Sequence, residues 1–271
     1  EYIEEHLVDD INQLVDAYGI LKETKLLEYF LEEEELEFTE NTKEQLLEAF
    51  GKIVDLKLIK GNEKQLIAYA VSFVGDDFEI DFEQMLEEDI NWSSEIHILL
   101  AVVVDVFEFI VTCDFDLENI ENLIQNEKFT IMFPNLVDKI FTLEIAEEYL
   151  APVIIKTLND LLIEMGFEQF ADYITIDYLK ENLSTDLTNV IEIFNSLKEL
   201  GLEDMLSGEI SISINEEDKE KFKKVIVDLL SLKIIDGHQS ELIIMLCDTC
   251  GLNSFISYEE EDFENVDWSV E

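Results

Sequence analysis

Apolar residues at Ile11, Leu14, Val15, Tyr18 and Leu21 follow the i, i+3, i+4, i+7 spacing of a helix with one buried stripe. The same rhythm returns at Leu187, Val190, Ile191, Phe194 and Leu197, each 176 positions further on. A second helix of about 15 residues is predicted after each, opening at the N-cap candidates Thr39 and Asn215 and ending before Gly61 and Gly237. A third, shorter helix runs to Gly75, Gly166 and Gly251. Between the first two helices lie alternating pieces, Leu36 and Phe38 in one place and Ile210, Ile212 and Ile214 in the other. Each reads as a strand or as an extended approach to the next helix.

The match between these stretches is gapless. Shifted by 176, residues 1–75 fall on 177–251, with identities that include Tyr2/Tyr178, Leu7/Leu183, Asp10/Asp186 and Leu26/Leu202. Leu21-Lys22-Glu23 falls on Leu197-Lys198-Glu199, Leu56-Lys57 on Leu232-Lys233, and Gly61 on Gly237. A divergent stretch lies between them, in which Trp92-Ser-Ser-Glu-Ile aligns with Leu183-Ser-Thr-Asp-Leu and with Leu7-Val-Asp-Asp-Ile. There Pro152 stands near the place of Gly61 and fits a break between helices. Trp268-Ser-Val-Glu repeats the opening at Trp92. The expected fold is therefore mainly α: tandem helical repeats of about 85 to 91 residues, of two alternating types, packed into an extended solenoid-like array. The copies run 1–77 (odd type), 78–175 (even type, divergent), 176–252 (odd type) and 253–271, the start of another even-type copy. The chain reads as a piece cut from a longer protein.

Two Pro and nine Gly in 271 residues leave few turns, which suits long helices joined tightly and disfavours an all-β fold. Charge changes the picture more. Asp and Glu number 65 against 17 cations, a net charge of −48, and every cation is Lys. Phosphate backbones are gripped by Lys and Arg with counterion release, so direct binding to nucleic acid or to an anionic membrane face is the class of function least expected. The longest uncharged run near the middle, 96–104, is too short to span a bilayer, so no transmembrane segment is expected. Such acidity keeps a crowded or secreted molecule soluble, and leans toward an extracellular or cell-surface setting. The sharper alternative is a decoy whose carboxylates imitate DNA phosphates and occupy a basic protein partner.

Candidate chemistry is sparse. Cys247-Asp-Thr-Cys250 is a CxxC, but Val71 and Val74 hold its places in the first copy and Leu162 and Met165 in the second, so buried apolar thiols are expected. Cys113 makes the total too uneven for a disulfide framework. His6, His97 and His238 are scattered, and His6 and His238 align with Asn182 and Asn62 as polar surface or capping positions. Asp114-Phe-Asp116-Leu-Glu118 opens like a calcium loop, but Asn119 and Gln125 stand where Gly and a bidentate Glu belong. Trp92 and Trp268 read as wedges between successive copies. No catalytic, cofactor-binding or metal-binding residue is assigned, and divalent cations are expected only as a weak, non-specific atmosphere. The expectation is a non-enzymatic structural or interaction scaffold whose partners are neighbouring copies of itself.

Overall fold

The computed structural model describes residues 5–26, 28–29, 38–72, 90–113, 123–164, 167–200 and 216–249. Every regular element among them is helical. Of the alternating pieces, only Phe38 lies within the described residues; it is non-helical and packs against Leu26, Leu46 and Val104. Contacts divide the chain into two compact units, Glu1–Leu158 and Asn159–Glu271.

The first unit holds α1 (Leu7–Glu23), α2 (Glu40–Val54), α3 (Glu63–Ser72), α4 (Trp92–Cys113) and α5 (Glu127–Ile140). A π-helical turn, Ala146–Leu150, then leads into α6 (Ala151–Glu164). Pro152 therefore sits in the first turn of a helix, where its missing N–H is harmless, and the expected break is a widened helical turn. Thr39 caps α2 as expected: its extended backbone lets the hydroxyl accept the Thr42 N–H at 3.2 Å. Helix α4 is the centre of the unit, packing against α2, α3 and α5. Its apolar side chains join Val54 and Ile67 at one end and Leu143 and Ala146 further along.

At 22 residues, with a mean hydropathy of 2.3 over its most apolar 18-residue window, α4 is long and apolar enough to cross a membrane. The uncharged run at 96–104 understates it, because the helix continues through Asp105 and Glu108. Both acids hold Lys43 of α2 by ion pairs of 2.6 Å. Three other helices pack against it and Lys43 pairs with its acids, while only a third of its apolar stretch is buried and Val103 and Ile110 are exposed.

The second unit contains the end of α6 and a 3₁₀ turn, Glu168–Tyr173, followed by α7 (Ile176–Glu181) and α8 (Leu183–Glu199). Helix α9 (Glu216–Leu230), a 3₁₀ turn at Lys233–Ile235 and α10 (Gln239–Thr249) complete it. Phe170, Ile193, Val225, Leu232, Ile235 and Leu242 form its core.

The pattern misplaces the buried side of α1. Ile11, Leu14, Val15 and Tyr18 are all exposed, and the inward positions are Asp10 and Ala17. Those two lie seven residues apart and so share a face, about 100° round the helix from Ile11. Two polar contacts to distant backbone set that orientation. Gln13 Nε2 donates to the Lys52 carbonyl at 2.7 Å, and Asp10 accepts from the turn after α2. In α8 the equivalent stripe is better covered: Ile191 is buried and Phe194 half-buried, though Val190 remains exposed.

Candidate functional site

Among the described residues, the polar side chains buried most completely are carboxylates on the first turns of helices. Asp10 accepts the N–H groups of Lys57 and Leu58, both at 3.0 Å. Asp186 accepts those of Lys233 and Ile234, at 2.7 and 2.8 Å. Each partner in the second pair lies 176 residues after its counterpart. The turns carrying those N–H groups also close alike, through Gly61 at φ +86 and Gly237 at φ +83, a region that favours glycine. Helix bounds follow the same shift: Leu7–Glu23 and Leu183–Glu199, then Glu40–Val54 and Glu216–Leu230. Even the residues that precede the first helices agree, with φ/ψ of −127/−25 at His6 and −128/−26 at Asn182.

Glu95 does the same work on α4. It is the fourth residue from Trp92, as Asp10 is from Leu7, and its Oε1 accepts the Ile145 N–H at 2.8 Å. A turn between helices leaves peptide N–H groups without partners, and a buried acid that accepts two of them ties that turn to a helix dozens of residues away. The environments differ. Burial pushes the Glu95 carboxyl up, and the Ile145 and Glu144 N–H groups offset only part of that. Around Asp186 a third donor is present, the Tyr178 hydroxyl at 2.9 Å. Burial, reinforced by the charge of Asp186, pushes the Tyr178 phenol up, so it stays protonated and donates.

A second cluster lies where α2, α4 and α5 meet. Lys43 approaches Asp105 and Glu108, each at 2.6 Å, and Lys139 approaches Asp105 at 2.5 Å. Burial alone would raise the Asp105 carboxyl, but hydrogen bonds from Lys139 and Lys43, with their charges, hold it below its ordinary value. Burial would likewise lower Lys43, and its bonds to Asp105 and Glu108 raise it instead. The cleft beside them, about 240 Å³, is lined further by Phe109, Met132, Asn135 and Leu136. This arrangement ties three helices together through their charges.

Among the described residues, those singled out from sequence are not brought into one site. His97 Nδ1 meets the Ser93 carbonyl at 2.7 Å, and His238 stacks on Tyr173 at 4.1 Å between ring centroids. Cys113 is buried, and burial pushes its thiol up. The side chain of Cys247, together with Cys250, Asp114 to Asn119, Asn215 and Trp268, lies outside the described residues. Trp92 packs against Val54, Ile67, Ile96 and Ile145, with Lys64 Nζ 5.8 Å from its ring centroid. It thus touches side chains of α2 and α3. Among the described residues, no three His, Cys, Asp or Glu side chains form a group able to hold a metal ion.

Sequence reasoning missed the role of the buried acids, although their signal was present. Asp10, Glu95 and Asp186 occupy the same place in the three aligned openings, an acid just before an apolar residue. Among 65 acids no single one stands out. Lys43, Asp105 and Lys139 carried no such signal. No family model matches the chain, and no curated protein or solved structure matches it.

Proposed function

We propose that the chain is a non-enzymatic structural scaffold, a tandem array of two alternating helical copies that stack in series as a spacer or surface element. The observation that carries this reading is the buried acid at Asp10, Glu95 and Asp186, each holding the turn that follows the next long helix of its own copy. Burying a carboxylate costs free energy unless its hydrogen bonds are complete, so its recurrence at one position marks one architectural unit used repeatedly. Trp92 supports the stacking, because it packs on the Val54 and Ile67 of the copy before it. The remaining acids form a solvated coat, which keeps a long array soluble and apart from its neighbours.

Because the repeat has no gap, residues 1–176 can be duplicated ahead of residue 1 without a designed junction. Small-angle scattering on that longer chain tests the proposal. A tandem array grows in maximum dimension by a fixed increment while the added residues stay helical and resist protease. Added residues that are cleaved quickly and contribute no helix would defeat the reading.

A further inference from the structure

In the second unit the turn after α9 is not left bare. Phe170 shares a core with Leu232, Ile235 and Leu242, and Leu162, Phe167 and Ile234 pack against it. The 3₁₀ turn Glu168–Tyr173 contacts the turn Lys233–Ile235, and the Tyr173 ring lies on His238. Leu162, Phe167, Phe170 and Tyr173, near the close of the even-type copy, thus cover the turn and the start of α10.

The matching surface of the first copy lacks this cover. Leu66 is 38% exposed, whereas its counterpart Leu242 is 3% exposed. Leu58 is 63% exposed, whereas Ile234 is half-buried against the core. The first turn is nonetheless fully formed: Leu56 and Ile67 are buried, Asp10 holds both N–H groups, and Gly61 has the same backbone as Gly237. Among the described residues, no segment covers Leu58 and Leu66 as Phe167 and Phe170 cover the second turn.

Charge says what would. Lys57, Lys60 and Lys64 fall within eight residues around Leu58 in a chain of only 17 cations. Lys60 also pairs with Asp55 at 3.3 Å, and Lys64 lies 5.8 Å from the Trp92 ring centroid. The covering segment is acidic, with Glu164, Glu168 and Asp172 among its aromatics. The corresponding turn in the second unit has Asp236 and Ser240 in place of Lys60 and Lys64, so the bare site is the better matched of the two. A second molecule of this chain cannot supply the segment without uncovering its own Leu242.

We infer that the face formed by Leu58, Leu66 and the three lysines is the docking site for the closing segment of a further even-type copy, an acidic aromatic stretch with the chemistry of residues 162–174. The inference rests on the tandem reading and extends it to a specific interface. In the test, residues 151–176 are added directly ahead of residue 1, the place they already hold ahead of residue 177. Leu58→Cys then reports cover by its rate of thiol labelling, read at that site by mass spectrometry.

The expected result is labelling at least about tenfold slower with the added segment than without it. Replacing the added counterpart of Phe170 by Ala restores the fast rate, and raising NaCl partly restores it. An unchanged rate overturns the inference. So does slowing that survives loss of that phenylalanine, or slowing that depends on protein concentration, which would mark a second molecule as the occupant. Amide exchange at Lys57, measured alongside, separates the two claims. A protected amide with unchanged labelling removes the docking site and leaves the tandem reading standing; an unprotected amide removes the shared turn itself.

Discussion

Replacing Asp186 by Ala should loosen the turn after α9 more than any other single polar change in the second unit. The carboxylate accepts three hydrogen bonds, from Lys233, Ile234 and Tyr178, at 2.7, 2.8 and 2.9 Å. Its loss strands two peptide N–H groups and a phenol in a place where Asp186 itself is 3% exposed. Each unsatisfied buried donor costs about 1–3 kcal/mol, and the desolvation penalty that the carboxylate no longer pays returns part of it. A net loss of about 3–5 kcal/mol follows for Asp186→Ala. Asp186→Asn keeps one acceptor but sets an amide donor against a peptide donor, so it should cost about 1.5–3 kcal/mol. Tyr178→Phe removes one neutral donor and should cost about 1 kcal/mol.

Two compact units need not unfold together, so a single denaturation midpoint is the wrong readout. Native-state hydrogen exchange at the Lys233 and Ile234 amides reads the turn directly. In Asp186→Ala those amides should exchange roughly a thousandfold faster, since about 1.4 kcal/mol is a factor of ten. Asp10→Ala should do the same to Lys57 and Leu58. Unchanged exchange at Lys233 and Ile234 in Asp186→Ala would refute the reasoning, as would a Tyr178→Phe effect larger than that of Asp186→Ala.

Further outcomes concern pH, glycine and ions. The lowered Asp105 carboxyl contributes stability that is complete above its ordinary value of 3.8 and is lost as pH falls through the folded value. The raised Lys43 amine contributes fully below 10.5 and loses that contribution as pH rises through the folded value. Glu95 is raised above 4.5, so its protonated form stabilises at low pH, and that gain is lost as pH rises through its folded value. Carboxyl NMR titration should therefore find Glu95 above Asp105 on the same helix, and the reverse order would contradict both environments. Gly61→Ala and Gly237→Ala should each cost about 1–2 kcal/mol in chemical denaturation, from backbone strain alone, because a Cβ at either site meets nothing within 4 Å. With a net charge of −48, the melting temperature should rise steadily with NaCl and at lower concentration with MgCl₂ or CaCl₂. A saturable, micromolar effect of Ca²⁺ that Mg²⁺ does not reproduce would reveal a specific site.

Helix positions were legible in the sequence where local chemistry decides them. Thr39 reads as a cap because its hydroxyl serves an N–H three residues away, and Gly61 and Gly237 mark turns because they tolerate positive φ. Orientation was not legible where a distant contact decides it. The stripe of Ile11, Val15 and Tyr18 looks inward by periodicity, yet the clamp from Asp10 to the Lys57 and Leu58 N–H groups turns a different face to α2. No window along α1 contains that information, because the partner lies 47 residues away. The Lys43–Asp105–Lys139 cluster was hidden for another reason. In so acidic a chain the spacing of charges carries no signal, and only the meeting of three helices selects these three.

Experimental coordinates for residues 7–72 and 183–248, superposed on one another, test the central claim most directly. The tandem account requires the same three helices with the same bounds, Gly61 and Gly237 both at positive φ, and the Asp10 and Asp186 carboxylates each on two consecutive N–H groups of the turn. Helices that start and stop at unrelated positions in the two blocks, or either carboxylate turned out to solvent, would contradict it.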